Sequence, residues 1–347
     1  MMRLPPAVHA ELQAAVNDGV FPDAVSAVRL RRQGPCVAAA ARLSLDSASP
    51  PAEVSTLYDL ASLTKPLVTV TSILLLVQQA KLQLDDPIDG PLPELSGSVV
   101  GQSSIKDLLT HSSGLPGWRP LYERLYEMTG ATGRLPDCIE PAAARSAVLD
   151  LIRNEPLVHA KGARSLYSDL GFILLGVLVE RVAGVRLDEW YRSAVTDPLG
   201  DVPLLFAPLT GSDRHREPSI KNAVGIAPTE YDTWRQRLLR GEVHDENAAA
   251  LGGIAGHAGL FGTAEGVLAV SGAWLGAYHG KDTIFSPVLV RRFVVRQTNI
   301  PQSSWALGWD TPTKPSSSGR YFSECSFGHL GYTGTSVWGD PIRKLEV

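Results

Sequence analysis

Ser62 and Lys65 lie three positions apart and could together carry out nucleophilic chemistry. At the start of a helix three residues make about one turn, so both side chains project from the same face. A serine hydroxyl attacks a carbonyl only after a neighbour takes its proton, and a lysine can do so when burial or nearby positive charge lowers its pKa. The first turn of a helix also offers a backbone N–H and a positive dipole to a developing oxyanion.

The Ser-x-x-Lys spacing is not sufficient by itself, because the chain contains it twice. Ser103 and Lys106 repeat it, but Ser104 and Asp107 have capping-box spacing at the start of a short helix over residues 104–110, which explains that segment structurally. Residues 57–60 instead look like a strand, and apolar sequence follows Ser62 as far as residue 84. We therefore predict that Ser62 opens a long, mostly buried helix in which a polar pair is poorly solvated.

Two further groups of residues follow in order along the chain. Tyr167, Ser168 and Asp169 precede a predicted buried helix over residues 169–184, and His329 with Gly331 opens a predicted strand. Alone, Tyr167 could be a core residue and His329 could end a strand. Together with Ser62 and Lys65, they form a three-motif pattern.

This pattern resembles that of class C β-lactamases, penicillin-binding carboxypeptidases and related esterases. The resemblance covers residues 20–340 and is carried by several stretches in the family's order, namely residues 58–65, 108–116, 167–171, 243–248 and 256–261. It implies a serine hydrolase of the penicillin-recognising kind that needs neither a metal nor a cofactor.

The resemblance also implies a role for each motif. Ser62 would be acylated, Lys65 and Tyr167 would relay its proton, and Asp169 would orient Lys65 or the substrate amide from a position where many relatives have Asn. The backbone N–H groups of Ser62 and Tyr332 would form the oxyanion hole. Water would then hydrolyse the acyl-enzyme.

Two departures from the family pattern affect the expected substrate. His329 stands where β-lactamases usually have Lys, so we expect less positive charge beside Tyr167 and less attraction for a substrate carboxylate. Asp169 adds negative charge near Lys65, which should favour the ammonium form and shift the base role to Tyr167. The change at His329 favours esters or amides without that carboxylate over β-lactams.

A second His-x-Gly occurs at His257, within the glycine-dense residues 252–259, where we expect a close backbone approach. Because a helix follows it, we do not assign it as the third motif. It could line the substrate cleft with His244, Asp245 and Glu246, or it could be a glycine-rich turn that packs the next helix. The same four residues could suggest a metal site, but their spacing fits no common zinc pattern.

Predicted strands lie at both ends of the chain with predicted helices between them, and this order indicates an α+β fold. We expect an antiparallel sheet flanked by helices, with a large helical insertion. The sequence predicts a hairpin over residues 23–31 and 36–44, strands at 305–310 and 328–340, and helices near 5–19, 140–154 and 263–278. We expect one catalytic domain, with a sheet subdomain of residues 1–60 plus 255–347 and a helical subdomain of residues 61–254. Against its relatives, the C-terminal strand and helix look truncated after Val347, which would expose apolar sheet surface.

Composition narrows the function classes further. A net charge of −4 argues against a nucleic-acid partner, and a small molecule or peptide is the expected substrate. Cys36, Cys138 and Cys325 form no CxxC pair and are expected to be buried free thiols. The apolar run Ile73–Val77 is too short to span a membrane, and no secretory signal is visible, so a cytoplasmic location is expected unless a leader is missing. The sequence leaves the oligomeric state open.

Three functions remain as hypotheses. The leading one is hydrolysis of an ester, an amide or a D-amino-acid peptide bond through an acyl-enzyme on Ser62, with weak activity on β-lactams. The second is a non-catalytic penicillin-recognising sensor or binding protein that is acylated once. The third is metal-dependent hydrolysis, which a chelator would abolish.

Overall fold

A computed structural model describes residues 5–31, 33–129, 140–209, 225–281 and 283–347. Its α-helices are α1 (Pro6–Asn17), α2 (Thr71–Gln78), α3 (Ile105–Leu109), α4 (Leu121–Thr129), α5 (Pro141–Arg153), α6 (Asp169–Ala183), α7 (Leu187–Tyr191), α8 (Glu246–Ala250), α9 (Ala264–Tyr278) and α10 (Pro287–Phe293). Its strands are β1 (Asp23–Leu30), β2 (Cys36–Ala41), β3 (Tyr58–Asp59), β4 (Leu204–Phe206), β5 (Tyr231–Asp232), β6 (Arg237–Leu238), β7 (Leu260–Gly262), β8 (Phe327–Leu330), β9 (Ser336–Asp340) and β10 (Leu345–Glu346).

The main sheet has five antiparallel strands in the order β2-β1-β10-β9-β8. The predicted hairpin is confirmed, with β1 and β2 paired from Asp23↔Ala41 to Val28↔Cys36. Strand β10 lies between β1 and β9, so both ends of the described chain share one sheet, as predicted. Helix α9 packs on this sheet against β1 and β9.

Two strand predictions near the end of the chain need correction. Residues 328–340 form a hairpin of two strands, because the chain turns at Gly331–Thr335, where Gly331 N–H donates to Thr335 O at 2.6 Å and Gly334 has φ +86°. Residues 305–310 form only isolated bridges, Trp305↔Asp310 and Asp310↔Gly328. Gly308, at φ +80°, interrupts the extended run there.

A second sheet has three strands in the order β3-β7-β4, and its strand β3 ends three positions before Ser62. Strand β4 lies within residues 61–254, the predicted helical subdomain, and it pairs with β7 from the predicted sheet subdomain. The division into two subdomains stays a prediction. Strands β5 and β6 form a separate two-stranded ribbon.

The predicted long helix after Ser62 is built from three geometries. A 3₁₀ turn (Ala61–Leu63) leads into a π-helical stretch (Lys65–Val70), all of it buried, and then into α2, which ends at Gln78 and not near residue 84. In the described part of the chain, residues 61–78 are the one helix long and apolar enough to cross a membrane. Because 83% of it is buried inside the protein, it serves as a core helix.

The remaining local predictions compare as follows. Helices α1, α5, α6 and α9 confirm the predicted helices, and α3 has the predicted capping box between Ser104 and Asp107. The expectation of buried thiols is wrong for Cys325, which is exposed, and Cys36 is only half-buried in β2. Cys138 lies outside the described residues.

Candidate active site

The backbone around Ser62 is held in an unusual conformation. Ala61, immediately before it, has φ +45°, a region that residues with a Cβ rarely occupy and that recurs at functional sites. The buried carboxylate of Asp59 accepts Ala61 N–H at 2.8 Å and His244 N–H at 2.6 Å, which fixes this turn. Burial raises the pKa of Asp59 to about 6, although these two N–H groups oppose the shift. The turn is therefore fixed by a residue to which sequence analysis gave no role.

Lys65 brings the predicted catalytic residues together. Its side chain is completely buried, and its Nζ lies 2.9 Å from Ser62 Oγ and 2.7 Å from Asp169 Oδ1. It also donates to the His257 backbone carbonyl at 3.1 Å. Its Nζ lies 4.8 Å from the centroid of the Tyr167 ring, and both Lys65 and Ser62 act on the pKa of the Tyr167 hydroxyl. The structure thus places Ser62, Lys65, Tyr167 and Asp169 in one connected group.

The charges of this group follow from its neighbours. Burial lowers the pKa of Lys65, but the charges of Asp169 and Tyr167 outweigh it and leave that pKa raised. Burial raises the pKa of Tyr167, and the opposing effect of Lys65 does not cancel it. The resting site therefore contains an ammonium and a phenol, which is the direction predicted from the charge of Asp169.

His329 is a buried, neutral imidazole in β8. Burial, followed by the charge of Lys65, lowers its pKa to about 3. Its Nδ1 lies 2.6 Å from Leu330 O, and since a carbonyl only accepts, Nδ1 carries the ring hydrogen. Its Nε2 is therefore a bare acceptor, buried and without a protein partner. His329 supplies no positive charge where β-lactamases have Lys.

Gly331 and Tyr332 begin the turn that follows β8. A Cβ on Gly331 would lie 2.0 Å from Thr335 Oγ1 and 2.7 Å from Leu60 O, so only glycine fits between the hairpin and the Ser62 turn. Thr335 Oγ1 also donates to Leu60 O at 3.1 Å, which ties this hairpin to the Ser62 turn. The Tyr332 side chain is 83% exposed at the cleft mouth. Its backbone N–H in an oxyanion hole stays a prediction.

Of the two alternatives that the sequence left open for His257, the structure shows the first, a place in the lining of the cleft. His257 Nε2 lies 2.8 Å from Asp245 Oδ1. The preceding Gly256 also packs tightly, because a Cβ there would lie 2.3 Å from Phe172 O and 2.7 Å from Gly176 Cα on α6. The predicted close approach of the glycine-dense segment is therefore confirmed. Among the described residues, no cluster of three or more His, Cys, Asp or Glu is arranged to hold a metal ion.

These residues face a cleft of about 820 Å³. The predicted site residues that line it are Ser62, Tyr167, Asp169, His257, His329, Gly331 and Tyr332. Lys65 lies beneath them. A cleft of this size can hold a small molecule or part of a peptide.

Comparison with known proteins identifies the family. Residues 13–347 match the family described as Beta-lactamase. The chain belongs to the beta-lactamase family. An Escherichia coli K12 protein named "Putative D-alanyl-D-alanine carboxypeptidase" is 29% identical over 310 residues, which are 85% of this chain and 69% of that protein.

Solved structures of the beta-lactamase and penicillin-binding class share the fold. EstCE1, a hydrolase with promiscuous acyltransferase activity, has a TM-score of 0.73 at 21% identity over 98% of this chain and 91% of its own. The octameric penicillin-binding protein homologue from Pyrococcus abyssi has a TM-score of 0.72 at 20% identity, covering 98% and 71%. A class C beta lactamase from Rhodobacter sphaeroides has a TM-score of 0.67 at 18% identity, covering 99% and 92%. The fold prediction is confirmed, and the family and its relatives point to a serine hydrolase.

In this beta-lactamase-family site, sequence reasoning missed His111. It lies within residues 108–116, which carried the family resemblance without an assigned role. Its Nδ1 accepts Ser168 N–H at 3.0 Å, and its ring centroid lies 4.7 Å from that of Tyr167 and 4.4 Å from that of Trp305. Burial, then Lys65 and His329, hold its pKa well below the usual value. The neutral His111 ring thus packs against the Tyr167 ring.

Asp245 and Trp305 were also given no specific catalytic or binding role. The pKa of Asp245 is lowered to about 2: burial acts to raise it, but the charge and hydrogen bond of His257 prevail. Trp305 lines the cleft and packs with its ring centroid 5.5 Å from that of His329. No sequence signal marked either contact, because the partners are distant or irregularly spaced along the chain.

Proposed function

We propose that this chain is a serine hydrolase that forms an acyl-enzyme on Ser62 and hydrolyses an ester, an amide or a D-amino-acid peptide bond. The observation that carries the proposal is the 2.9 Å contact between Ser62 Oγ and the buried Lys65 Nζ, with the centroid of the Tyr167 ring 4.8 Å from that Nζ. A nucleophile within hydrogen-bond reach of a base that is itself oriented is the arrangement needed for covalent catalysis.

The proposed reaction begins when Tyr167, as the phenolate stabilised by the Lys65 ammonium, takes the Ser62 hydroxyl proton. Ser62 Oγ then bonds to the substrate carbonyl carbon, and the oxyanion accepts N–H bonds from Ser62 and Tyr332. Tyr167 returns the proton to the leaving group as its bond to carbon breaks. A water molecule then gives a proton to Tyr167 and attacks the acyl carbon, and Tyr167 passes that proton to Ser62 Oγ as the bond from Ser62 Oγ to the acyl carbon breaks.

The charges of the site support substrates without a carboxylate beside the scissile bond. Neutral His329 offers no ion pair to the carboxylate that β-lactams carry, and Asp169 takes up the charge of Lys65. We therefore propose weak activity on β-lactams at most. The carboxypeptidase name of the Escherichia coli relative leaves D-amino-acid peptides among the candidates.

A second candidate function is a sensor that is acylated but not turned over. It is favoured by the raised pKa values of Lys65 and Tyr167, which make a base for deacylation scarce in the resting site. A single burst of product equal to the enzyme concentration, without steady turnover, would support the sensor over the hydrolase.

Labelling by a fluorophosphonate probe tests the nucleophile. We expect the wild-type chain to be labelled and Ser62→Ala to lose labelling completely. Ser103→Ala is the matched control, because Ser103 has the same Ser-x-x-Lys spacing, and it should keep wild-type labelling. Unchanged labelling of Ser62→Ala would overturn the proposed function.

A further inference from the structure

Three carboxylates line the cleft without an ion pair to an Arg or Lys in the described part of the chain: Glu230, Glu246 and Asp310, of which Glu246 is also influenced by the charge of Arg235. The Glu230 side chain is 57% exposed and lies 3.7 Å from His244 Nε2. Asp310 accepts Ser317 Oγ–H at 2.7 Å and Thr311 N–H at 2.9 Å. Glu246 follows Asp245 at the start of α8.

Positive charge is scarce at this cleft. No Arg or Lys is among the described residues that line it. The nearest ammonium, on Lys65, is completely buried and is paired with Asp169 at 2.7 Å. Like charges in a cleft with low-dielectric walls add to one potential, so these carboxylates attract cations and repel anions.

His329 independently indicates what kind of group binds. It is 3% exposed, and its Nε2 is a bare acceptor without a protein partner. A buried acceptor is costly unless a donor meets it, and a carboxylate has no hydrogen to donate. The ring centroid of His329 is 5.9 Å from that of Tyr167, so the donor would lie close to the reacting carbonyl.

Exposed aromatic rings add a third feature. Trp118 is 44% exposed and Tyr332 is 83% exposed, and both line the cleft. Aromatic faces attract organic cations such as alkylammonium groups.

We propose that this cleft selects substrates that carry an organic ammonium group next to the scissile carbonyl, such as amides or esters of amino acids with a free amino group. The inference rests on the proposed hydrolase function. The ammonium donates to His329 Nε2 and is attracted by Glu230, Glu246 and Asp310.

The test compares three p-nitroanilides, each made from D- and from L-alanine. One has a free ammonium, one a neutral N-acetyl group and one an anionic N-succinyl group. Assays run at about pH 7, where an α-amino group with a pKa of about 8 is mostly charged. We expect kcat/KM to fall in that order, with the ammonium substrate about tenfold or more above the succinyl substrate, and we expect added salt to narrow the difference.

Glu246→Gln should lower the ratio of kcat/KM for the ammonium substrate to that for the acetyl substrate by about two- to fivefold, the range of a partly exposed ion pair. Glu189→Gln, at an exposed position on α7 away from the cleft, is the matched control and should leave that ratio unchanged. Equal or reversed preference with Ser62-dependent turnover would overturn this inference and leave the hydrolase proposal standing. Loss of fluorophosphonate labelling specificity for Ser62 would instead overturn the proposed function.

If none of the three anilides is turned over, protection of Ser62 from the fluorophosphonate measures the same preference. Benzylammonium, which has N–H groups to donate, is expected to slow labelling, and benzenesulfonate is not. Equal protection by the two compounds, or protection by neither, would overturn the inference.

Discussion

At the scale of single residues, the charge of Lys65 decides how the site can work. Its ammonium lies beside three oxygens, Ser62 Oγ, Asp169 Oδ1 and the His257 carbonyl, and 4.8 Å from the centroid of the Tyr167 ring. Because Asp169 holds the ammonium form, Lys65 serves as the positive partner that makes a Tyr167 phenolate attainable. The base then forms only as the pH rises, and the rate should rise with it.

Asp169→Asn tests this account through the pH profile of kcat/KM. Asp169 raises the pKa values of both Lys65 and Tyr167, so its removal lowers both. We expect the acidic limb of the profile, which reports formation of the Tyr167 phenolate, to move to lower pH by about 1 unit or more, because a nearby like charge that raises a pKa has been removed. Asp18→Asn, at an exposed position beyond α1, is the control and should not move the profile. A limb that stays in place or moves to higher pH in Asp169→Asn would contradict the assignment.

At the scale of elements, the segment before β7 crosses helix α6. This crossing sets the position of the His257 carbonyl, which accepts a hydrogen bond from Lys65. Gly256 and Gly176 face each other so closely that a Cβ on either would lie within 2.7 Å of the other's backbone. The Gly256 carbonyl accepts Thr69 Oγ1–H at 2.6 Å, and the next carbonyl, of His257, accepts from Lys65. Tight glycine packing therefore fixes a carbonyl in the active site.

Gly256→Ala should both destabilise the protein and reduce activity. The added methyl group must displace backbone, which typically costs about 1–3 kcal/mol in a well-packed core. It would also shift the His257 carbonyl away from Lys65. Urea unfolding and kcat/KM measure the two effects, and Gly34→Ala is the control because a Cβ there meets nothing within 4 Å. A Gly256→Ala variant with wild-type stability would show that this crossing is looser than described.

At the scale of the whole molecule, the fold buries two imidazoles that must stay neutral. His111 and His329 are 2% and 3% exposed, and both have lowered pKa values. In the unfolded chain each takes up a proton near pH 6.5, so the unfolded state binds more protons below that pH. Their contribution to stability is complete above pH 6.5 and is lost as the pH falls below it.

We therefore expect the free energy of unfolding to drop by about 1–2 kcal/mol between pH 7.5 and 5.5, measured by urea unfolding. The two imidazoles together lower the free energy of unfolding by about 2.8 kcal/mol over this range. Asp59 offsets part of this loss, because its pKa of about 6 lets the folded protein bind a proton there at a pH where the unfolded chain does not. His111→Gln should have a smaller drop, and His9→Gln, at an exposed position on α1, should keep the wild-type drop. Stability that rises toward pH 5.5 in the wild-type chain would contradict this account.

Features that depend on residues close together along the chain could be predicted from the sequence. The spacing of Ser62 and Lys65, the capping box at Ser104 and the β1–β2 hairpin each rest on local periodicity, caps and turns, and the order of the motifs indicated the family and its fold. These signals could be read because the residues involved are few positions apart.

The remaining contacts of the site join residues that are far apart along the chain, so they could not be predicted from the sequence. Lys65 meets the His257 carbonyl across 192 positions, His111 meets Ser168 across 57, and Thr335 meets Leu60 across 275. The turn at Gly331–Thr335 and the π-helical stretch after Ser62 likewise follow from what packs against them. Burial and neighbouring charge, which set the protonation of Lys65, His111 and His329, exist only once these distant segments are in contact.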